Sequence, residues 1–132
     1  MKHLKILLIS FLFVGYGVNL SAQNSKESAV ININAKELNS ALNAKMQLVD
    51  VRTPNEYKSG HITNAININY YDQDFSTQIS KLNKSKPIYV YCRSGVRSKY
   101  SSQILKKLGF KKIYNLKGGI LNWNANKLPL KK

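Results

Sequence analysis

Cys92 is the only cysteine in a chain of 132 residues, and it stands where an apolar run stops and a glycine turn begins. The stretch reads Cys92-Arg93-Ser94-Gly95-Val96-Arg97-Ser98. A thiol followed by a glycine and two arginines suits nucleophilic chemistry beside an anion. Gly95 permits backbone angles that other residues resist, and a tight turn here points successive N–H groups inward as an anion-binding nest. A helix beginning at Ser98 adds free N–H groups and the positive end of its dipole. Arg93 and Arg97 add full charges. All of these favour the thiolate, which is the reactive form, and the same features would hold an anionic substrate next to it. The competing reading is an inert core cysteine, because free cysteines are among the most buried residue types. The strand-end position, the glycine turn and the arginines weigh against it.

The elements around this loop alternate. "AVINI" is a strand, and "NAKELNSAL" carries Asn34 three residues before Glu37, which predicts a capped helix from Ala35. "MQLVDV" ends a buried strand near Asp50. "TPNEYKSG" predicts a short helix, with Thr53 as cap, Pro54 in the first turn, Glu56 completing a capping box and Gly60 as the stop. Ala65 to Asn69 is a further strand. Phe75, Ile79 and Leu82 recur at helical spacing, and "PIYVYC" is β-branched and aromatic, hence a strand. The segment after the loop predicts a helix capped by serine, with Tyr100, Ile104, Leu105 and Leu108 on one face and Gly109 as the stop. "KIYNL" is a last strand and "GGILNW" opens a closing helix. Such alternation predicts an α/β fold, a five-stranded parallel sheet flanked by helices on both faces. Ligands of these sheets sit beyond the carboxyl ends of the strands, where Cys92 lies.

The amino terminus reads differently. Lys2 and Lys5 precede the apolar run Ile6 to Val18, and Ala22 supplies a small residue before a polar stretch. That order predicts a signal peptide over residues 1–22, a disordered lead-in over 23–29 and a single domain over 30–132. The expected location is outside the cytoplasm, periplasmic or secreted, with no stable membrane insertion after cleavage. Removing Lys2 and Lys5 from the 21 basic residues leaves 19 against 6 acidic, a net charge of +13. The lysines are scattered and no arginine-rich run with interleaved aromatics occurs, so no nucleic-acid partner is expected. Size and surface are compatible with a monomer. With one thiol, an intrachain disulfide is excluded.

Three segments carry a resemblance. "CRSGVRS" resembles the active-site loop of single-domain rhodaneses, the sulfurtransferases. Leu48 to Asn69, with its Asp-x-Arg, Glu-Tyr and Gly-His-Ile, is similar to the upstream signature of that family. "NLKGGILNW" resembles its closing Gly-Gly-x-x-x-Trp. The resemblance implies a rhodanese-like domain and a ping-pong reaction without metal or organic cofactor. Cys92 would take a sulfane sulfur from a small anionic donor such as thiosulfate, hold it as a persulfide, and pass it to a thiophilic acceptor such as cyanide or a thiol. Residues 93–98 would form the substrate-binding loop, with Arg93 and Arg97 holding the sulfonate end and Ser94 and Ser98 as hydroxyl donors. Asp50 and Arg52 are expected to support the loop, Asp50 pairing with Arg52 or an active-site arginine. His61 and Trp123 are read as packing residues, and Gly118 and Gly119 as sites of close helix approach.

Two other classes compete. A cysteine phosphatase or arsenate reductase needs Cys-x5-Arg, whereas Arg97 makes this loop Cys-x4-Arg with Ser98 following. A non-enzymatic persulfide carrier or redox-sensing module would use the same thiol; the absence of a second cysteine counts against the sensor.

Overall fold

The computed structural model describes Gly17 and residues 28–132. Along them run β1 (Ala29–Ile33), α1 (Ala35–Ala41), β2 (Gln47–Asp50), α2 (Pro54–Lys58), β3 (Ile66–Asn67), α3 (Phe75–Ile79), β4 (Ile88–Tyr91), α4 (Val96–Lys107), β5 (Lys112–Leu116) and α5 (Gly119–Ala125). The expected signal segment, Gly17 apart, lies outside the described residues, as does the lead-in up to residue 27. Ala29, placed in that lead-in, already pairs with Lys112 in the sheet.

All five strands are parallel, in the order β1-β5-β4-β2-β3. The chain crosses the sheet in one direction from β1 through β2 to β3, then returns through β4 to β5. Helices α1 and α5 cover one face of the sheet, and α3 and α4 cover the other. Leu38 of α1, with Ile120 and Trp123 of α5, packs on Leu48, Tyr91 and Leu116. Phe75 and Ile79 of α3 and Leu105 of α4 pack on Val49, Val90 and Ile113. Strand parity assigns the sides: Tyr91 faces α1 and α5, so Cys92, the next residue, faces α3 and α4. The neighbouring strands β2 and β4 are followed by segments that leave toward opposite faces. A crevice opens beyond their carboxyl ends at such a point.

Local signals act as their chemistry requires. Asn34 Oδ1 accepts from the Glu37 amide at 2.8 Å. Thr53 and Glu56 form a reciprocal capping box, with Pro54 in the first turn of α2. Three expectations are corrected. β3 pairs only over Ile66–Asn67 rather than Ala65 to Asn69, because it is an edge strand against a four-residue partner, and Ala65 turns back to bond Ile62 O. α4 starts at Val96, not at Ser98; Gly95, at φ +103°, is its N-cap and has no side chain to offer. Ser98 thus lies inside the first turn. The buried face of α4 is Ser98, Ser101, Ser102 and Leu105, while Tyr100 is 49% exposed. Small serines let the helix lie close to the sheet, and the Ser101 and Ser102 hydroxyls donate to the carbonyls of Arg97 and Ser98, both at 2.8 Å. A large ring has no room on that face.

Candidate active site

Cys92 follows β4 directly, on the face that α4 covers, so its side chain projects under the first turn of that helix. The residue is 1% exposed. The Gly95 N–H donates to Sγ at 3.1 Å, and Ser98 Oγ lies 3.4 Å from it. Ser98 also donates to Gly95 O at 3.2 Å, which ties the turn to the helix. The sulfur therefore meets a backbone donor, a hydroxyl and the amino end of a twelve-residue helix. Any negative charge placed on or just beyond the sulfur is met by donors already in position.

The loop is held from behind by α5. Ile120 N–H donates to Cys92 O at 2.9 Å and Leu121 N–H to Arg93 O at 3.1 Å. Gly118 and Gly119 both have positive φ, +76° and +58°. A Cβ on Gly119 would stand 2.4 Å from Cys92 O, so the approach requires glycine.

The two loop arginines are placed differently. Arg93 is exposed and forms no ion pair among the described residues. Arg97 makes a bidentate pair with Glu56 of α2, at 2.8 and 2.9 Å, and its guanidinium lies 5.5 Å from the Tyr71 ring centroid. The hydrogen bond from Arg97 holds the Glu56 carboxyl at about 2, helped by the Thr53 backbone and hydroxyl and opposed by burial. Glu56 in turn raises Arg97 further. Two of the five guanidinium N–H donors are used by Glu56, leaving others for a ligand. Glu56 and Tyr71 were not anticipated as site residues. Glu56 was legible only as a helix-capping residue, and the Arg97 contact spans 41 positions of sequence.

Asp50 and Arg52 form a closed unit at the end of β2. Their side chains are 0% and 5% exposed, with Arg52 Nη2 2.6 Å from Asp50 Oδ2. Arg52 Nη2 also donates to Gly60 O at 2.7 Å, and the guanidinium lies over the Tyr91 ring. Burial works to lower Arg52, but the Asp50 hydrogen bond and charge leave it raised. Burial likewise pushes the Tyr91 hydroxyl up, reinforced by Asp50. Of the two partners expected for Asp50, the pairing formed is with Arg52, not with a loop arginine. His61 stacks on Tyr57 at 3.7 Å between centroids, and its Nδ1 sits 3.0 Å from Tyr57 O. Trp123 is fully buried and donates to Pro129 O.

Comparison with known proteins agrees with this geometry. The family model of the rhodanese-like domain matches residues 34–126. The chain is 39% identical over 115 residues to a tRNA uridine(34) hydroxylase of Pelagibacter ubique; the match covers 86% of this chain but only 37% of that longer protein. It is 31% identical to thiosulfate sulfurtransferase 18 of Arabidopsis thaliana, over 83% of this chain and 89% of the relative. The crystal structure of a rhodanese-related protein from Thermoplasma volcanium superposes with a TM-score of 0.68 at 31% identity, covering 76% of this chain and 97% of that one. The loop from Cys92 to Ser98, the strand end that carries it and the helix that caps it are thus those of a rhodanese-like domain, and the chain belongs to that family.

Proposed function

We propose that the protein is a thiosulfate-type sulfurtransferase working through a persulfide on Cys92. The observation that carries this reading is the Gly95 N–H aimed at Sγ from the amino end of α4. In the first half-reaction the Cys92 thiolate attacks the outer sulfur of thiosulfate. The sulfur–sulfur bond of the donor breaks, and its electron pair leaves with sulfite. Cys92 keeps an anionic persulfide, which the Gly95 amide and the Ser98 hydroxyl are placed to solvate. In the second half-reaction an acceptor such as cyanide attacks the outer sulfur and returns the electron pair to Sγ. Arg93 and the donors of Arg97 that Glu56 leaves open bind the sulfonate end of the donor.

The name of the Arabidopsis relative supports a thiosulfate donor. The phosphatase reading fares worse, since the loop is one residue short of Cys-x5-Arg and Arg97 already spends two donors on Glu56. The amino-terminal segment supports export, which fractionation of the full chain checks by comparing processed and unprocessed mass. Steady-state assay of thiocyanate formation tests the function. Parallel double-reciprocal lines for thiosulfate and cyanide are expected, and intersecting lines would contradict a persulfide intermediate.

A further inference from the structure

The sheet has two ends, and the sulfur chemistry occupies one of them. Ala29 pairs with Lys112, Gln47 with Ile88, and Ile88 with Ile113, so the amino ends of β1, β2, β4 and β5 stand level. Cys92 lies past the opposite end of β4. The connections that close the amino end are tied to one another. Gln47 Nε2 donates to Asn83 O at 2.9 Å, and its Oε1 accepts from Asn83 N–H at 2.7 Å. The start of β2 is thereby fixed to the loop between α3 and β4. Lys111 N–H donates to Lys84 O at 3.4 Å, which lays the turn between α4 and β5 on the same loop.

Lysines that are scattered along the sequence are gathered by the fold onto this end. Lys45, Lys84, Lys86, Lys107, Lys111 and Lys112 are exposed, and none of them forms an ion pair among the described residues. The connections that carry them, residues 42–47, 80–88 and 106–112, contain no acidic residue. The acidic side chains of the described residues stand at the carboxyl end of the sheet, as Cys92 does. Glu37 and Glu56 are in first helical turns, Asp50 ends β2, and Asp72 and Asp74 precede α3. A lysine in the last turn of a helix offsets the negative end of its dipole, which accounts for Lys107. It does not account for Lys45, Lys84, Lys86 and Lys111, which belong to no helix.

We propose that this lysine end is a docking surface for an anionic lipid bilayer, on which the domain rests with Cys92 facing away. Two features favour a bilayer over nucleic acid. The three connections contain no arginine, and their one aromatic residue, Phe110, is fully buried. This end therefore offers flexible point charges, without the planar forks or stacking rings that read nucleic acids. The second feature is where the chain enters the domain. Ala29 begins β1 at this end, and only residues 19–28 separate it from the apolar run Ile6 to Val18. Ten residues reach at most about 36 Å, so a bilayer that receives the apolar run has the lysine end tethered beside it. Each lysine brought to an anionic surface strengthens the attraction about fivefold. Docked in this way, the domain leaves the crevice at Cys92 open to water. The docking does not depend on the sulfurtransferase reading.

The test is sedimentation of the full chain with vesicles of phosphatidylcholine, alone or mixed with phosphatidylglycerol. Neutral vesicles measure what the apolar run contributes, and the proposal concerns the excess on anionic ones. Lys84→Gln with Lys86→Gln and Lys111→Gln is compared with the same charge loss at the carboxyl end, Lys36→Gln with Lys99→Gln and Lys117→Gln. The first variant is expected to lower the excess partition about a hundredfold and the second less than about fivefold. Added salt is expected to bring the wild type toward the neutral-vesicle value. Acetic anhydride labelling of vesicle-bound wild type reads the orientation without any variant. Lys84, Lys86 and Lys111 are expected to be protected relative to free protein, and Lys36, Lys99 and Lys117 to label as before. Equal losses in both variants, or protection without preference for one end, would mean that net charge alone binds and would overturn the proposal. No excess on anionic vesicles would overturn it as well. Tighter binding to a duplex oligonucleotide than to anionic vesicles at equal phosphate concentration, lost in the first variant, would assign the surface to nucleic acid instead.

Discussion

Gly119 lies so close to Cys92 that a β-carbon on it would stand 2.4 Å from the Cys92 carbonyl oxygen. The amide next to it, Ile120 N–H, holds that oxygen at 2.9 Å. The end of β4 and the start of α5 are therefore one unit, and the direction in which the sulfur leaves the sheet depends on a residue 27 positions away in sequence. Gly119→Ala must both shift the backbone and take up φ +58°. The left-handed angle alone costs roughly 1–2 kcal/mol, and the clash adds to it. A loss of about 2 kcal/mol or more in urea unfolding is expected, with the folded fraction slower in sulfur transfer.

Glu56 holds Arg97 from α2, and the pair has a pH signature. The Glu56 carboxyl is depressed from its usual 4.5 to about 2 in the folded protein, chiefly by the Arg97 hydrogen bond. A depressed folded value means stability that is present above the unfolded value and lost as pH falls toward the folded one. Wild-type protein should lose this contribution between about pH 4.5 and 2, and Glu56→Gln should lack it throughout. The side chains are 29% and 16% exposed, so the magnitude is about 1 kcal/mol. Freed from Glu56, Arg97 no longer points one way, and kcat/KM for thiosulfate should fall between about tenfold and a hundredfold.

The loop should discriminate between alkylating reagents by charge. Arg93, Arg97 and the amino end of α4 attract anions to Cys92. The ratio of iodoacetate to iodoacetamide rates should exceed that of a free cysteine by about tenfold at low ionic strength, and it should fall toward that of the free thiol as salt is added. A ratio equal to that of the free thiol would mean that the arginines do not act on the sulfur.

Asp50 and Arg52 are expected to matter for folding rather than for chemistry. Arg52→Met leaves the fully buried Asp50 carboxylate without its partner. Removing one member of a buried pair costs about 3–5 kcal/mol. Urea unfolding should register that loss, while persulfide transfer per folded molecule stays near wild type. A selective loss of transfer without a loss of stability would place Arg52 in the reaction instead.

Much of this arrangement was legible from local chemistry. Short apolar runs alternating with capped helices specify a parallel sheet, and Asn34, Thr53 and Pro54 mark helix starts through bonds made within a few residues. The cysteine stood out because it is single and sits between a strand signal and a glycine. Contacts across sequence were less legible. Nothing near Glu56 announces Arg97, since capping and ion pairing use the same carboxylate. The start of α4 was misplaced because a glycine in the left-handed region caps a helix without any side-chain signal, whereas Ser98 carries the usual one. The buried face of that helix was legible in part: Leu105 is buried and Ile104 and Leu108 pack against the core, but Tyr100 is exposed and Ser98, Ser101 and Ser102, which apolar periodicity does not count, fill the rest of that face.

The most direct test of the central claim is the intact mass of the protein before and after incubation with thiosulfate, with Cys92→Ser alongside. The account predicts a gain of one sulfur atom in the wild type, its removal by cyanide as thiocyanate, and no gain in the variant. An unchanged mass with thiosulfate and with every other sulfane donor, or the same gain in Cys92→Ser, would contradict it.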